Sequence, residues 1–469
     1  MSNIIFGEPR FVPPKEDDKE TNDVYIGVFF DGTSNNRKNI EGRRKDPTLK
    51  NTYISDNDGS NTSYGNDHTN VDKLQKAYPK IKEKHYYSIY IEGIGTKNPE
   101  EKKDGSLSYY GDFTRGQGYG TGETGLFEKV EKGCQDIVKL LKKENEKNIS
   151  TLYIDVFGFS RGAAAARIFA NELYKVKNPK NKDSYNLGYL GKAFKELNYK
   201  IKPRRIKIRF LGLYDTVSSY GSNVFDDIKK DKVPLLIPTV GFTVHLTAED
   251  EHRKKFPLTN IASAGTNSIE LTLPGVHSDI GGGYKNLTND LKDKGEIVIL
   301  TETYSTIEAE KQRALEHGWY DKDQLQEHSK YLKGTRKNLS NEYSLIILHL
   351  MAEFGKRKYK IPWDYENILN KDYKIPLALQ YIKKRLDGYA FECKPKMTFF
   401  TKKELEEKEK RLRNNANTEF DLQAQDHKML MNLRKNYLHC SASMDGAGME
   451  PNKKHNLIDI DWNRKIIQG

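Results

Sequence analysis

Apolar residues along this chain fall into two kinds of run. Through the first 280 residues the runs are short and rich in Val, Ile, Phe and Tyr: Val24–Phe30, Tyr86–Ile91, Leu152–Phe157, Ile206–Leu213 and Ser268–Leu273. Several are almost continuous, as expected for strands buried on both faces of a parallel sheet. Between them, Val71–Tyr78 and Glu123–Glu146 have helical period. In the second, Phe127, Val130, Cys134, Ile137, Val138 and Leu141 share one face, which makes Cys134 a core residue. Phe242–Phe256 reads as a short helix and turn, and Ser218–Pro238 as a loop that can form part of a lid. Beyond Tyr284 helical period takes over, at Ile307–Glu316, Lys322–Leu332, Asn341–Tyr359, Leu377–Leu386, Lys402–Arg413 and Leu422–Leu438. Leu345–Phe354 is too short to span a bilayer, and, being apolar on more than one side, it is expected to be buried, with a membrane-facing lid as the alternative. Strands alternating with helices predict an α/β fold with a mostly parallel sheet.

The expected organisation is a polar N-terminal tail over 1–22, a sheet-bearing catalytic domain over 23–290 with a polar insertion near 37–69, and a largely helical part over 291–469. That last part is expected to serve as a lid or a membrane- or partner-facing region and to close back on the catalytic domain.

The chain has 469 residues, which suits one large domain with insertions or two domains. Its formal net charge is +12, which favours anionic partners but also fits a Lys-rich proteome. No Arg-rich arm or basic–aromatic repeat points to nucleic acid. Three cysteines, Cys134, Cys393 and Cys440, make neither a disulfide framework nor a zinc set, so folding in a reducing cytoplasm is expected. Met1–Asn22 has no apolar stretch of signal-peptide kind, so export would use another route.

The densest chemistry lies in Thr151–Ala170, TLYIDVFGFSRGAAAARIFA. A strand runs into Gly158-Phe159-Ser160-Arg161-Gly162 and then into an Ala-rich helix, the setting in which G-x-S-x-G is a nucleophile elbow. Gly158 and Gly162 leave room around a tight turn, and Ser160 would stand at the carboxyl end of the sheet, as in an α/β-hydrolase-like fold. The Arg161 amide, at the helix start, would face a developing oxyanion. Val24–Phe30 ends in Asp31-Gly32-Thr33, whose Gly32 and Thr33 amides are candidates for the second oxyanion donor, with Asp31 orienting the loop. Ile206–Leu213 ends at Tyr214-Asp215, where a triad acid belongs in the order Ser…Asp…His. Ser268–Leu273 leads into Pro274-Gly275-Val276-His277-Ser278-Asp279, so His277 is the general-base candidate and His439 a second histidine. Asp155, inside the elbow strand, is expected to be structural. The loop Gly111–Gly125 is expected to line the cleft rather than bind phosphate. A rival reading uses Asp31, His277 and Asp279 as a metal-dependent phosphoesterase site. Two others are a soluble esterase of small substrates and a non-catalytic binding protein.

Four blocks together are more specific than the elbow: FFDGTSNN (Phe29–Asn36), DVFGFSRGAAAARIFAN (Asp155–Asn171), FLGLYDTV (Phe210–Val217) and PGVHSDIGGGY (Pro274–Tyr284). In order and wording they resemble the α/β-hydrolase domain of type VI secretion lipase effectors, a family containing bacterial phospholipases A. The resemblance covers about Val24–Tyr284, with a vaguer match at Tyr437–Ser443. It implies a triad of Ser160, Asp215 and His277, no metal and no cofactor, and a phospholipid membrane surface as substrate. It also implies antibacterial delivery by a contractile injection machine, with a spike or adaptor protein and a cognate immunity protein as partners, and action at the periplasmic side of target-cell membranes.

Overall fold

A computed structural model describes residues 23–49, 62–147, 149–175, 188–199, 205–220, 233–288, 294–302, 304–400, 402–412, 418–445, 448–455 and 460–469. The expected tail over 1–22 lies outside them, as do 50–61 of the expected insertion and 221–232 of the expected lid loop. Six strands form a parallel sheet: β1 Val24–Phe30, β2 Tyr86–Ile91, β3 Thr151–Phe159, β4 Arg205–Tyr214, β5 Phe242–Ala248 and β6 Ser268–Leu273. Their order is β2-β1-β3-β4-β5-β6, and every neighbouring pair is parallel. The chain thus steps to one side of β1 and then to the other. The crevice between the carboxyl ends of β1 and β3 is the switch point at which open α/β sheets bind ligands.

β5 corrects the helix expected over Phe242–Phe256. Its FTVHLTA is buried on both faces, so no clean alternation marks it, and three polar residues mask its apolar character. One of these, His245, lies fully inside. Its Nδ1 meets Glu270 on β6 at 2.8 Å, and its Nε2 accepts from the Thr216 amide at 3.0 Å.

Helices cover both faces. In chain order the principal ones are α1 Arg37–Lys45, α2 Asn70–Ala77, α3 Leu126–Lys143, α4 Arg161–Leu173, α5 His277–Gly281, α6 Tyr343–Tyr359, α7 Gln380–Phe391 and α8 Thr418–Asn436. On one face Phe29, Phe157, Phe210 and Val244 pack with α2 and α6; on the other Ile26, Val28, Ile154 and Leu211 pack with α3 and α4. Ala163–Ala166 are all buried and let α4 approach the sheet closely. Cys134 lies in the core, on the buried face of α3. α6 is apolar on several sides because it lies between the sheet and α7. Each such large apolar side chain contributes about 1.5–3 kcal/mol on burial.

The segment expected as a polar insertion starts with α1, whose first turn is capped by the Asn36 side chain. Asp155 is structural, paired with Arg209 and accepting from Tyr78 Oη at 2.7 Å. The helix expected over Lys322–Leu332 is instead two strands, Leu325–Glu327 and Leu332–Arg336, in an antiparallel sheet with Glu296–Thr301. Alternate burial along Leu332–Arg336 and the ion pair of the inward-pointing Arg336 with Glu296 fix it. At the end of the sequence, Ile466–Ile467 runs parallel to the short strand Leu258–Thr259. Among the described residues no helix is long and apolar enough to cross a membrane.

Candidate active site

β3 ends by throwing Ser160 into a left-handed conformation, φ 58° and ψ −129°, from which α4 begins at the next residue. A non-glycine residue there is strained, and such strain is retained where the surroundings impose it. Here they do. The Ser160 amide donates to Tyr214 O at 3.0 Å, and its carbonyl accepts from Ala163 N at 3.0 Å and Val217 N at 3.4 Å. The flanking glycines are steric requirements. A Cβ at Gly158 would lie 2.4 Å from Gly162 O, and one at Gly162 2.3 Å from Asp31 O. The elbow is therefore wedged between the ends of β1 and β4. Ser160 lines a cavity of about 790 Å³, whose wall also includes His277, Thr33, Arg161, Phe159 and Phe256. That volume suits an organic ligand rather than an ion.

Asp215 follows β4, also left-handed, at φ 42°. Its amide donates to Leu246 O of β5 at 2.8 Å, and its fully buried carboxylate accepts from the Ala248 amide at 2.9 Å. His277 opens α5 directly after β6, and its Nδ1 meets Asp215 Oδ2 at 2.5 Å. The ring lies against Phe159 and edge-on to Phe256. Burial pushes the imidazole below its ordinary pKa and Arg253 adds to this, while Asp215 and Glu251 pull the other way. A neutral ring with its Nδ1 hydrogen on Asp215 leaves Nε2 basic. Burial alone would raise the Asp215 pKa, but Arg464 and His277 hold it well below the usual carboxylate range. Arg464 forks onto both oxygens, at 2.6 Å to Oδ1 and 2.9 Å to Oδ2.

The loop after β1 is built around Asp31. Its carboxylate accepts from Tyr90 Oη at 2.6 Å, Thr69 Oγ1 at 2.7 Å and the Gly32 amide at 2.7 Å. Burial pushes it up to about 7 despite those donors. This arrangement corrects one expectation: the Gly32 amide is turned onto its neighbour's carboxylate and Gly32 does not line the cavity, whereas Thr33 does. The Arg161 side chain ties the elbow to this loop, through Nε to Thr33 Oγ1 at 2.8 Å, and to the carbonyls of Gly116 and Gln117. Gln117 and Gly118, from the expected cleft-lining loop, do line the cavity. Asp279 lies two residues beyond His277 but serves another histidine: it accepts from the His439 amide at 3.0 Å and meets His439 Nδ1 at 2.7 Å. Asp31, His277 and Asp279 therefore each have separate partners and do not converge. Among the described residues no group of three His, Cys, Asp or Glu side chains could hold a metal ion.

The sequence matches the family described as T6SS, phospholipase effector Tle1-like, catalytic domain, over residues 26–177 and 172–301. The chain belongs to this family. As a Tle1-like phospholipase effector of type VI secretion it is a lipid-hydrolysing enzyme. Among solved structures, the Tle1 effector bound to the VgrG spike from the type 6 secretion system is 21% identical, with a TM-score of 0.57 over 90% of this chain and 84% of that one. This is a likeness of fold. An uncharacterized protein from Pseudomonas aeruginosa is 16% identical, with a TM-score of 0.32 over 88% of this chain and 66% of that one. No curated protein sequence matches.

In this Tle1-like effector, the structure brings Ser160, Arg161, Thr33 and His277 to one cavity, with Asp215 behind His277. Gly158 and Gly162 shape the elbow, and Asp31 and Asp279 hold backbone and a neighbouring histidine. Sequence reasoning missed Arg464, Tyr90 and Thr69. Arg464 acts 249 residues away from Asp215, and no spacing rule reaches that far. Tyr90 lies within a predicted strand, where its hydroxyl carries no signal of its own. His349 and His427 sit in α6 and α8, away from this cavity.

Proposed function

We propose that this Tle1-like effector cleaves acyl esters of membrane phospholipids, as a phospholipase of A1 or A2 type, by a Ser-His-Asp mechanism. The observation that carries the reading is the 2.5 Å contact between Asp215 and Nδ1 of His277, the histidine that lines the cavity onto which the strained Ser160 opens. His277 takes the Ser160 hydroxyl proton as Oγ attacks the ester carbonyl, and Asp215 orients the ring and stabilises the imidazolium. The amides of Arg161 and Thr33 hold the oxyanion. His277 then passes its proton to the leaving lysolipid oxygen, and water releases the fatty acid from Ser160. Phe159, Val217, Phe256 and Leu287 offer apolar wall for an acyl chain, and Arg253, Lys255 and Lys285 place positive charge around the same cavity. Residues 23–290 carry this chemistry, and residues 291–469 complete the layer over one sheet face and close back on the site. Because the Tle1 effector of similar fold is bound to a VgrG spike, we propose delivery of this chain on a spike or adaptor protein. Its site of action would be target-cell membranes from the periplasmic side, its effect antibacterial, and its producer guarded by an immunity protein.

The test is fatty-acid release from mixed phospholipid vesicles, comparing wild type with Ser160→Ala, His277→Ala and Asp215→Asn. Ser160→Ala and His277→Ala should each lower turnover by at least about 10³-fold, and the acyl chain left on the lysolipid names the type. Full release by Ser160→Ala would refute the triad. Cleavage of soluble short-chain esters without release from vesicles would refute the phospholipid substrate.

A further inference from the structure

The catalytic cluster contains one group from far outside the family-matched span of 26–301. Arg464 belongs to the strap 460–469, which is laid onto the site by backbone pairing. Ile466 and Ile467 run parallel to Leu258 and Thr259. The Leu258 amide donates to Lys465 O at 2.9 Å, the Asn260 amide to Ile467 O at 3.0 Å, and the Ser263 amide to Gly469 O at 2.9 Å. The surface that receives the strap is itself part of the site. Leu258 bridges to Val217, and the Thr259 amide donates to Thr216 O at 3.0 Å, both beside Asp215. From the opposite side Arg167 of α4, fully buried, donates to Thr259 O at 3.1 Å and Asn260 O at 2.6 Å. Elbow helix, acid loop and strap thus share one platform.

Arg464 is oriented on every side. Its Nε donates to Phe256 O at 2.9 Å, and its two terminal nitrogens take the two oxygens of Asp215 at 2.6 and 2.9 Å. The side chain is almost wholly enclosed, at 8% exposure, against 0% for Asp215. A bidentate guanidinium–carboxylate fork fixes the plane of the carboxylate as well as its position. That plane decides where Asp215 Oδ2 meets His277.

We infer that Arg464 is a positioning residue of the hydrolytic centre, which locks Asp215 in the orientation that aims His277, so that docking of the strap 460–469 is required for full activity. The inference rests on the triad reading above. An arginine at this point also offsets the charge of Asp215. Beside His277 stand Asp215 after β4 and Glu251 and Arg253 in the turn after β5; Arg464 of the strap lies behind Asp215, Asp279 on α5 is occupied by His439, and Lys255 and Lys285 line the same cavity. Deleting Arg464 removes one positive charge from beside Asp215, so the pair Asp215 and Glu251 weighs more heavily on the imidazole against Arg253. The imidazolium is then favoured, and the base is protonated over a wider range of pH.

The experiment uses the full chain, with Arg464→Gln, Arg464→Lys and Arg464→Ala measured beside Ser160→Ala. Readouts are kcat and KM on phospholipid vesicles from pH 5 to 9, and thermal melting. Arg464→Gln should lose about 10–100-fold in kcat with little change in KM, and the acidic limb of its kcat profile should move up by about one pH unit. Arg464→Lys keeps the charge, so its limb should stay in place, while loss of the fork costs several-fold in kcat. Added ethylguanidinium should restore part of the activity of Arg464→Ala. Wild-type kcat in Arg464→Lys and Arg464→Gln would overturn the inference. So would a uniform loss with an unmoved limb and no rescue, which marks a role in stability alone. If Ser160→Ala stays active, it is the triad reading that fails; if Ser160→Ala is dead and the Arg464 variants match wild type, the triad stands and the strap inference falls.

Discussion

Ser160, Asp215 and Asp31 each end a strand of the sheet, and each is held by a different means. Ser160 is held by steric confinement between two glycines, Asp215 by charge, and Asp31 by burial among three donors. The last has a consequence for stability. A carboxyl raised from near 4 to about 7 by burial is favoured in its protonated form within the fold. Its contribution is fully present below pH 4 and is lost as pH rises through 7. Asp31→Asn mimics the protonated acid, so its stability relative to wild type should increase from pH 4 to pH 8, by as much as about 4 kcal/mol. Urea unfolding at both pH values checks this, and a difference that does not change with pH would contradict it. At this scale much of the site was legible. The elbow, the acid after β4 and the histidine after β6 stand in a recognisable order on recognisable elements. What escaped was the bonding of backbone amides: nothing in Asp31-Gly32-Thr33 tells that Gly32 turns onto its own neighbour.

Elements marked by continuous apolar runs, such as β1 and β3, or by a clean helical stripe, such as α3, follow directly from their patterns. β5 and the strands at Leu325–Glu327 and Leu332–Arg336 do not. In β5 and Leu332–Arg336, buried polar residues are satisfied by distant partners, His245 by Glu270 and Arg336 by Glu296, and Leu325–Glu327 is a short, largely exposed strand paired to the second of these. Period alone cannot separate such strands from helices, because the partner that makes burial tolerable is not local. α6 shows the opposite case. Its apolar surroundings on several sides marked it as buried, and it packs over β4 and β5, with Met351 Sδ 2.9 Å from where a Cβ on Gly212 would lie. Met351→Ala should therefore cost about 2–5 kcal/mol and lower the melting temperature in a single transition shared with the catalytic part. A separate early transition, leaving the catalytic part unmoved, would contradict the shared core.

On the scale of the whole molecule, Ser160, Asp215 and His277 stand at the carboxyl ends of strands of the sheet, and the loop after β1 and the strap 460–469 both reach their surroundings. Membership of the Tle1-like phospholipase effectors rests on residues 26–177 and 172–301. The α6 layer and the strap that carries Arg464 lie beyond that span, which is why the resemblance in four short blocks reached Ser160, Asp215 and His277 but not Arg464. The account stands or falls on Ser160 as the attacking group. The most direct measurement is peptide mass spectrometry of the full-length protein after treatment with a long-chain alkyl fluorophosphonate, which traps an activated serine. The account requires a single phosphonyl adduct on Ser160, formed in step with loss of phospholipid hydrolysis and strongly slowed in His277→Ala. Complete inactivation with an unmodified Ser160, or undiminished hydrolysis with Ser160 fully modified, would contradict it.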